Sequence, residues 1–155
     1  MTWTEKLAEL GIALPPVVPP VASYTPAVRT GNLVYTSGQL PMVDGELTAR
    51  GKVSDGAEGI VDPQVATAAA RVCALNALAA VDALVGIDSV VRVVKVVGFV
   101  ASAPGFTGQP GVINGASFVL GEIFGDAGVH ARSAVGVSEL PLGAPVEVEL
   151  IVEVA

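Results

Sequence analysis

Charged side chains are scarce: 15% of the 155 residues, against about a quarter in a typical soluble domain. A chain this short of ionic groups has little with which to cover a monomer's surface. Aromatic residues are few as well, at 5%. There is one cysteine, Cys73, so no internal disulfide can form, and one cysteine with one histidine cannot build a structural zinc site. Basic residues number 8 against 15 acidic ones, giving a net charge of −7. Nucleic acid and acidic membrane surfaces would be repelled at long range. The opening MTWTEKLAEL lacks the basic-then-apolar order of a signal peptide, so a cytoplasmic location is expected.

One long stretch carries no charge, Val96 to Gly121, but it is not expected to span a membrane. Pro104, Pro110, Gln109, Asn114 and repeated glycines divide it into strand, loop and helix. Glycine and proline, at 18 and 11 residues, fall short of the fraction of about a quarter that signals disorder. One folded domain is expected from this length.

Thr4 is placed to cap a short helix over 5–10, with Gly11 to end it. Pro15, Pro16, Pro19 and Pro20 then impose an extended connection, so residues 1–20 read as a leader appended to a single domain over 21–155. VRTGNLVYTS (28–37) reads as a hairpin with Thr30-Gly31-Asn32 at the turn, and 44–62 as a long polar loop with at most short edge strands. Asp62-Pro63 opens an alanine-rich helix to about Leu84. The valine-dense 90–100 reads as a strand buried on both faces. A second helix is expected over 110–124 with Ile113, Leu120 and Phe124 inward, then strands over 131–138 and 145–154. In the last strand Val146, Val148, Leu150, Val152 and Val154 share one face, and Glu147, Glu149, Ile151 and Glu153 the other. The order implies an α+β fold with helices on one face of a mixed sheet.

Tyr24, GNLVYTSGQLP (31–41), Asn76, Asn114 and ARSAVGVSELPLGAPVEVELIVEV (131–154) together resemble the RidA/YjgF/UK114 family of enamine/imine deaminases, also labelled endoribonuclease L-PSP. The resemblance implies a chorismate-mutase-like subunit, a mixed β-sheet with two helices packed on one face, assembled as a homotrimer with sites between subunits. It implies cofactor-independent, metal-free hydrolysis of a 2-imino or 2-enamino acid to a 2-keto acid and ammonia. Its partners would be small-molecule imino or keto acids, not nucleic acid or membrane. Carried over by position, Arg132 corresponds to the carboxylate-binding arginine and Glu147 to the water-positioning glutamate, while Tyr24, Ser37 and Asn114 correspond to substrate-pocket residues.

Read without the resemblance, Arg132 and Glu147 are ordinary strand charges, Ser37 a strand-end hydroxyl bonded to backbone, and Tyr24 an edge residue. His130 has no triad around it, and Cys73 reads as a small buried hydrophobe. Ala134 stands where the family usually has cysteine, His130 where proline is common, and the stretch between Asn114 and Arg132 is one residue longer. The alternative to catalysis is a trimer that binds a small carboxylate or keto acid as a sensor. A third reading, ribonuclease, conflicts with the net charge of −7 and the single histidine.

Overall fold

The computed structural model describes residues 1–56 and 60–155. Among the described residues three helices, α1 (Trp3–Leu10), α2 (Pro63–Val85) and α3 (Gln109–Phe124), combine with seven strands: β1 (Ala27–Thr30), β2 (Leu33–Thr36), β3 (Met42–Val43), β4 (Glu46–Leu47), β5 (Val90–Ala101), β6 (Ala131–Val137) and β7 (Val146–Val154). The main sheet runs β1-β2-β7-β5-β6; only β5 and β6 are parallel. This is the mixed α+β sheet that the element order implied, of the chorismate-mutase-like type.

α2 starts where Asp62 accepts a hydrogen bond from the Gln64 amide, with Pro63 in the first turn. Its alanines keep the side-chain layer thin, and Ala66, Ala70, Cys73, Ala74 and Ala77 are fully buried against the sheet and α3. α2 is long and apolar enough to cross a membrane; its burial in this core accounts for that composition. Gly115, weak as a helix former, lets α3 close on α2: a Cβ there would run into the Thr67 carbonyl. Cys73 is buried, as expected, and desolvation followed by the charge of Glu147 pushes its thiol well up.

β7 alternates without a break. Its five even-numbered residues are buried beneath the helices, and Glu147, Glu149, Ile151 and Glu153 lie on the open face. β5 departs from expectation. Val93, Val96 and Val100 are buried, but Val97 and Phe99 on the other side are only half-covered and Val91 is exposed, because both helices lie on one face. With Val28, Tyr35 and Val135 these residues leave an apolar open sheet face in the single chain.

The leader also differs from expectation. α1 begins at Trp3, not Glu5, and its cap is Thr2, whose hydroxyl accepts from the Glu5 amide while the Glu5 carboxylate accepts from the Thr2 amide. Thr4 instead donates its amide and hydroxyl to Asp88. Trp3 donates Nε1–H to the Val90 carbonyl and packs edge-on against Phe124 at 4.9 Å, and Leu7 is buried. The leader is therefore packed into the fold rather than hung from it. In the 44–62 loop, β4 pairs back onto β3 just before the loop, and Val53 is buried between Val61 and Ser102; residues 57–59 of that loop lie outside the described residues.

Candidate active site

Glu147 sits near the start of β7, opposite Phe99 of β5, with its side chain on the open face. It lines a cleft of about 420 Å³ with Tyr24, Ser37, Gly38 and Gln39. The leader contributes Val18 and Pro19 to the same cleft and the segment after it Val21 and Ala22, and Leu40, Met42 and Pro141 extend its apolar lining. The carboxyl is half-buried. Desolvation raises its pKa from the usual carboxylate range, and the neighbouring Glu149 charge adds to the rise. Gly38 makes room for it: a Cβ at that position would overlap the Glu147 carboxylate.

The segment that carries Ser37 and Gly38 is fixed at several points. The Ser37 amide donates to the Pro26 carbonyl, and Gln39 exchanges backbone hydrogen bonds with Val148 on β7. From below, buried Asn76 of α2 donates Nδ2–H to the carbonyls of Leu40 and Met42 at 3.1 and 3.0 Å. The Ser37 hydroxyl donates to the Thr25 carbonyl at 2.6 Å, the backbone bond expected of a strand-end serine, and keeps its oxygen lone pairs for a ligand. Tyr24 accepts a hydrogen bond from the Val21 amide at 3.4 Å through its hydroxyl and is 45% exposed.

Arg132 lies elsewhere. It sits on edge strand β6 opposite Val96, which is buried under the helices, and its side chain runs over α3. There Nη1 donates to Asn114 Oδ1 at 2.8 Å and to Ser117 Oγ at 3.2 Å, and Nη2 donates to the Pro110 carbonyl at 3.2 Å. Pro110, Asn114 and Ser117 are spaced i, i+4, i+7 and so form one polar stripe on the helix. Among the described residues, Nε–H and one N–H of Nη2 remain unclaimed. Ala134, two residues on, packs against the core.

The five predicted site residues thus fall into two groups, Tyr24, Ser37 and Glu147 in the cleft and Arg132 with Asn114 at the opposite edge. The register separates them: Val96 and Phe99 point to opposite faces of β5, so Arg132 and Glu147 lie on opposite faces of one sheet. Their Cα atoms are roughly 14 Å apart by strand spacing. Sequence reasoning missed Gly38, Gln39, Ser117 and the leader residues in the cleft. Among the described residues no three His, Cys, Asp or Glu side chains are grouped to hold a metal ion.

The sequence model of the family described as Endoribonuclease L-PSP matches residues 16–154. The chain belongs to this family. Protein TCP17 of Trypanosoma cruzi is 43% identical over 155 residues, covering 95% of this chain and 91% of that one. The crystal structure of Atu1372 from Agrobacterium tumefaciens, a protein of unknown function, matches with a TM-score of 0.87 at 42% identity over 99% of this chain and 92% of the other. RidA from an Antarctic Psychrobacter species matches with a TM-score of 0.61 at 28% identity, covering 91% and 94% of the two chains. The match to the L-PSP family runs from the proline-rich end of the leader through the last strand.

Proposed function

We propose that this protein is a homotrimeric, cofactor-independent deaminase of the cytoplasm that hydrolyses 2-imino or 2-enamino acids to 2-keto acids and ammonia. The observation that carries the reading is the Glu147 carboxyl, half-buried in an apolar cleft and held above the usual carboxylate pKa. A raised pKa suits a group that takes a proton from water and returns it to a leaving nitrogen near neutral pH. The imine carbon is already electrophilic. Water adds to C2, the proton it loses passes through Glu147, the C–N bond breaks, and ammonia leaves as the C=O bond forms.

Arg132 serves the other end of the substrate. Two unclaimed N–H groups of a guanidinium suit a carboxylate, which they grip and orient in its plane. Because Arg132 and Glu147 occupy opposite faces of one chain, the reading requires two subunits per site, Arg132 and Asn114 coming from one and Tyr24, Ser37 and Glu147 from its neighbour. The uncovered face formed by Val28, Tyr35, Val97, Phe99, Val135 and Ile151 supplies the apolar surface for that assembly. The cleft's lining of Val18, Val21, Leu40 and Met42 suits an imine with a non-polar side chain.

Ribonuclease action, which the family description names, is the weaker reading. The net charge of −7 opposes a phosphate backbone, and the single histidine is bonded to Gly128 and Ser117, not placed in the cleft. The test is to generate iminoleucine or 2-aminoacrylate in situ and measure keto-acid release. Wild type should accelerate it, and Arg132→Ala should lose about 10²-fold or more, since misplacing a reacting centre by about 1 Å has that effect. Wild-type rates equal to buffer would sink the catalytic claim; binding of 2-ketobutyrate without turnover of any imine would mark a sensor instead.

A further inference from the structure

We propose that Ser117 and His130 are positioning residues for Arg132, linked to it by a one-way hydrogen-bond chain; this rests on Arg132 as the carboxylate grip. Ser117 Oγ lies 2.9 Å from His130 Nε2, and His130 Nδ1 lies 2.6 Å from the Gly128 carbonyl. The direction of every bond follows from the chemistry of the ends. A carbonyl only accepts, so Nδ1 carries a proton and donates it to Gly128. Neutral imidazole then leaves Nε2 as an acceptor. At the other end a guanidinium only donates, so Ser117 Oγ accepts from Arg132 Nη1 and turns its own hydrogen to Nε2.

The chain is Arg132 to Ser117 to His130 to the Gly128 carbonyl, each donor polarising the next. Its far end is rigid because Gly128 is pressed onto α3, where a Cβ would lie 2.5 Å from the Leu120 carbonyl oxygen. A guanidinium fixed by Asn114, Ser117 and Pro110 has less rotamer freedom to lose when it binds a carboxylate. His130 thereby gains a role that its sequence position does not suggest: it orients the serine that orients the arginine.

Three measurements test this. The chain has one histidine, so a long-range ¹H–¹⁵N spectrum at alkaline pH reads its tautomer without ambiguity; the Nδ1-protonated form is expected, with the Nε2 resonance displaced in Ser117→Ala. In imine hydrolysis, Ser117→Ala should raise KM about 3- to 10-fold, the range of one lost hydrogen bond, with kcat changed by less than about twofold. His130→Ala should raise it about 2- to 3-fold. Ser117→Thr, which keeps the hydroxyl, should restore the wild-type KM, and Ser117→Ala should have no further effect in an Arg132→Ala background.

An Nε2-protonated ring, or a Ser117→Ala protein with wild-type KM, overturns the proposal. If wild type turns over no imine, the deaminase reading fails on its own. The Kd for 2-ketobutyrate then replaces KM with the same order expected, and equal or absent binding across wild type, Ser117→Ala and Ser117→Thr overturns the chain's role.

Discussion

Glu147, the proton carrier of the proposed reaction, carries a cost to the fold that holds it. Its carboxyl is half-buried among apolar neighbours and beside Glu149, so its pKa is raised relative to the unfolded chain. Below the ordinary carboxylate range both folded and unfolded states bind the proton, and the residue is neutral to stability. As pH rises through the unfolded and then the raised folded value, the unfolded chain releases its proton first, and a penalty on the folded state accumulates. Glu147→Gln removes that penalty. It should raise the thermal midpoint at neutral pH, leave it unchanged at acid pH, and lower imine turnover by about 10²-fold or more through loss of the proton carrier. Calorimetry at two pH values with the keto-acid assay checks both signs. Glu147 and Arg132 stood out in the sequence only through the family resemblance, since by themselves they are ordinary strand charges. Gly38 did not, since nothing in a one-dimensional string tells that its missing Cβ leaves space for a carboxylate from a strand over a hundred residues away.

At the scale of elements, strand β7 and helix α2 were legible because their signals are local: unbroken alternation in one, an Asp-Pro start and alanine density in the other. The leader was not, because its fate depends on a distant surface. Trp3 reaches Val90 and Phe124, and Thr4 reaches Asp88, contacts that no spacing rule encodes. The Thr2–Glu5 capping box was a local signal, and it places the helix start two residues before the position expected from Thr4. Likewise, Pro110, Asn114 and Ser117 form a helical stripe that could have pointed to Ser117 beside Asn114. The α1 anchor should loosen in acid. Asp88 and Glu5 both have lowered pKa values, each chiefly from hydrogen bonds to threonine, Asp88 to Thr4 and Glu5 to Thr2. Depressed carboxylates contribute stability above their unfolded values, 3.8 and 4.5, and lose it as pH falls through the lower folded ones. Trp3 is the only tryptophan, so its emission should shift to the red in that acid window before the sheet unfolds, and Asp88→Asn should move the onset toward neutral pH. A shift coincident with global loss of circular dichroism would contradict an independently loosening α1.

At the scale of the whole molecule, the proposed homotrimer would explain both the scarcity of charge and the separation of Arg132 from Glu147. Helices cover one face of the sheet, and the other presents Tyr35, Val97, Phe99, Val135 and Ile151 among the glutamates of β7. A second copy laid on that face would cover apolar surface and bring its own Arg132 edge toward the cleft of its neighbour. A split site makes a prediction that no single-chain site shares. Arg132→Ala and Glu147→Gln proteins should each form inactive homotrimers. When the two are co-refolded in equal amounts, a site works where a chain with intact Arg132 abuts, in the required direction, a chain with intact Glu147. Each condition holds half the time, so random mixing should recover about one quarter of wild-type activity in a cyclic trimer. If both groups acted within one subunit, no mixture could recover any, because every chain would lack one of them. Activity of the mixture, measured beside its mass by light scattering, therefore reads the oligomer and the division of the site together, and recovery near zero in a well-formed trimer would place the chemistry within a single chain.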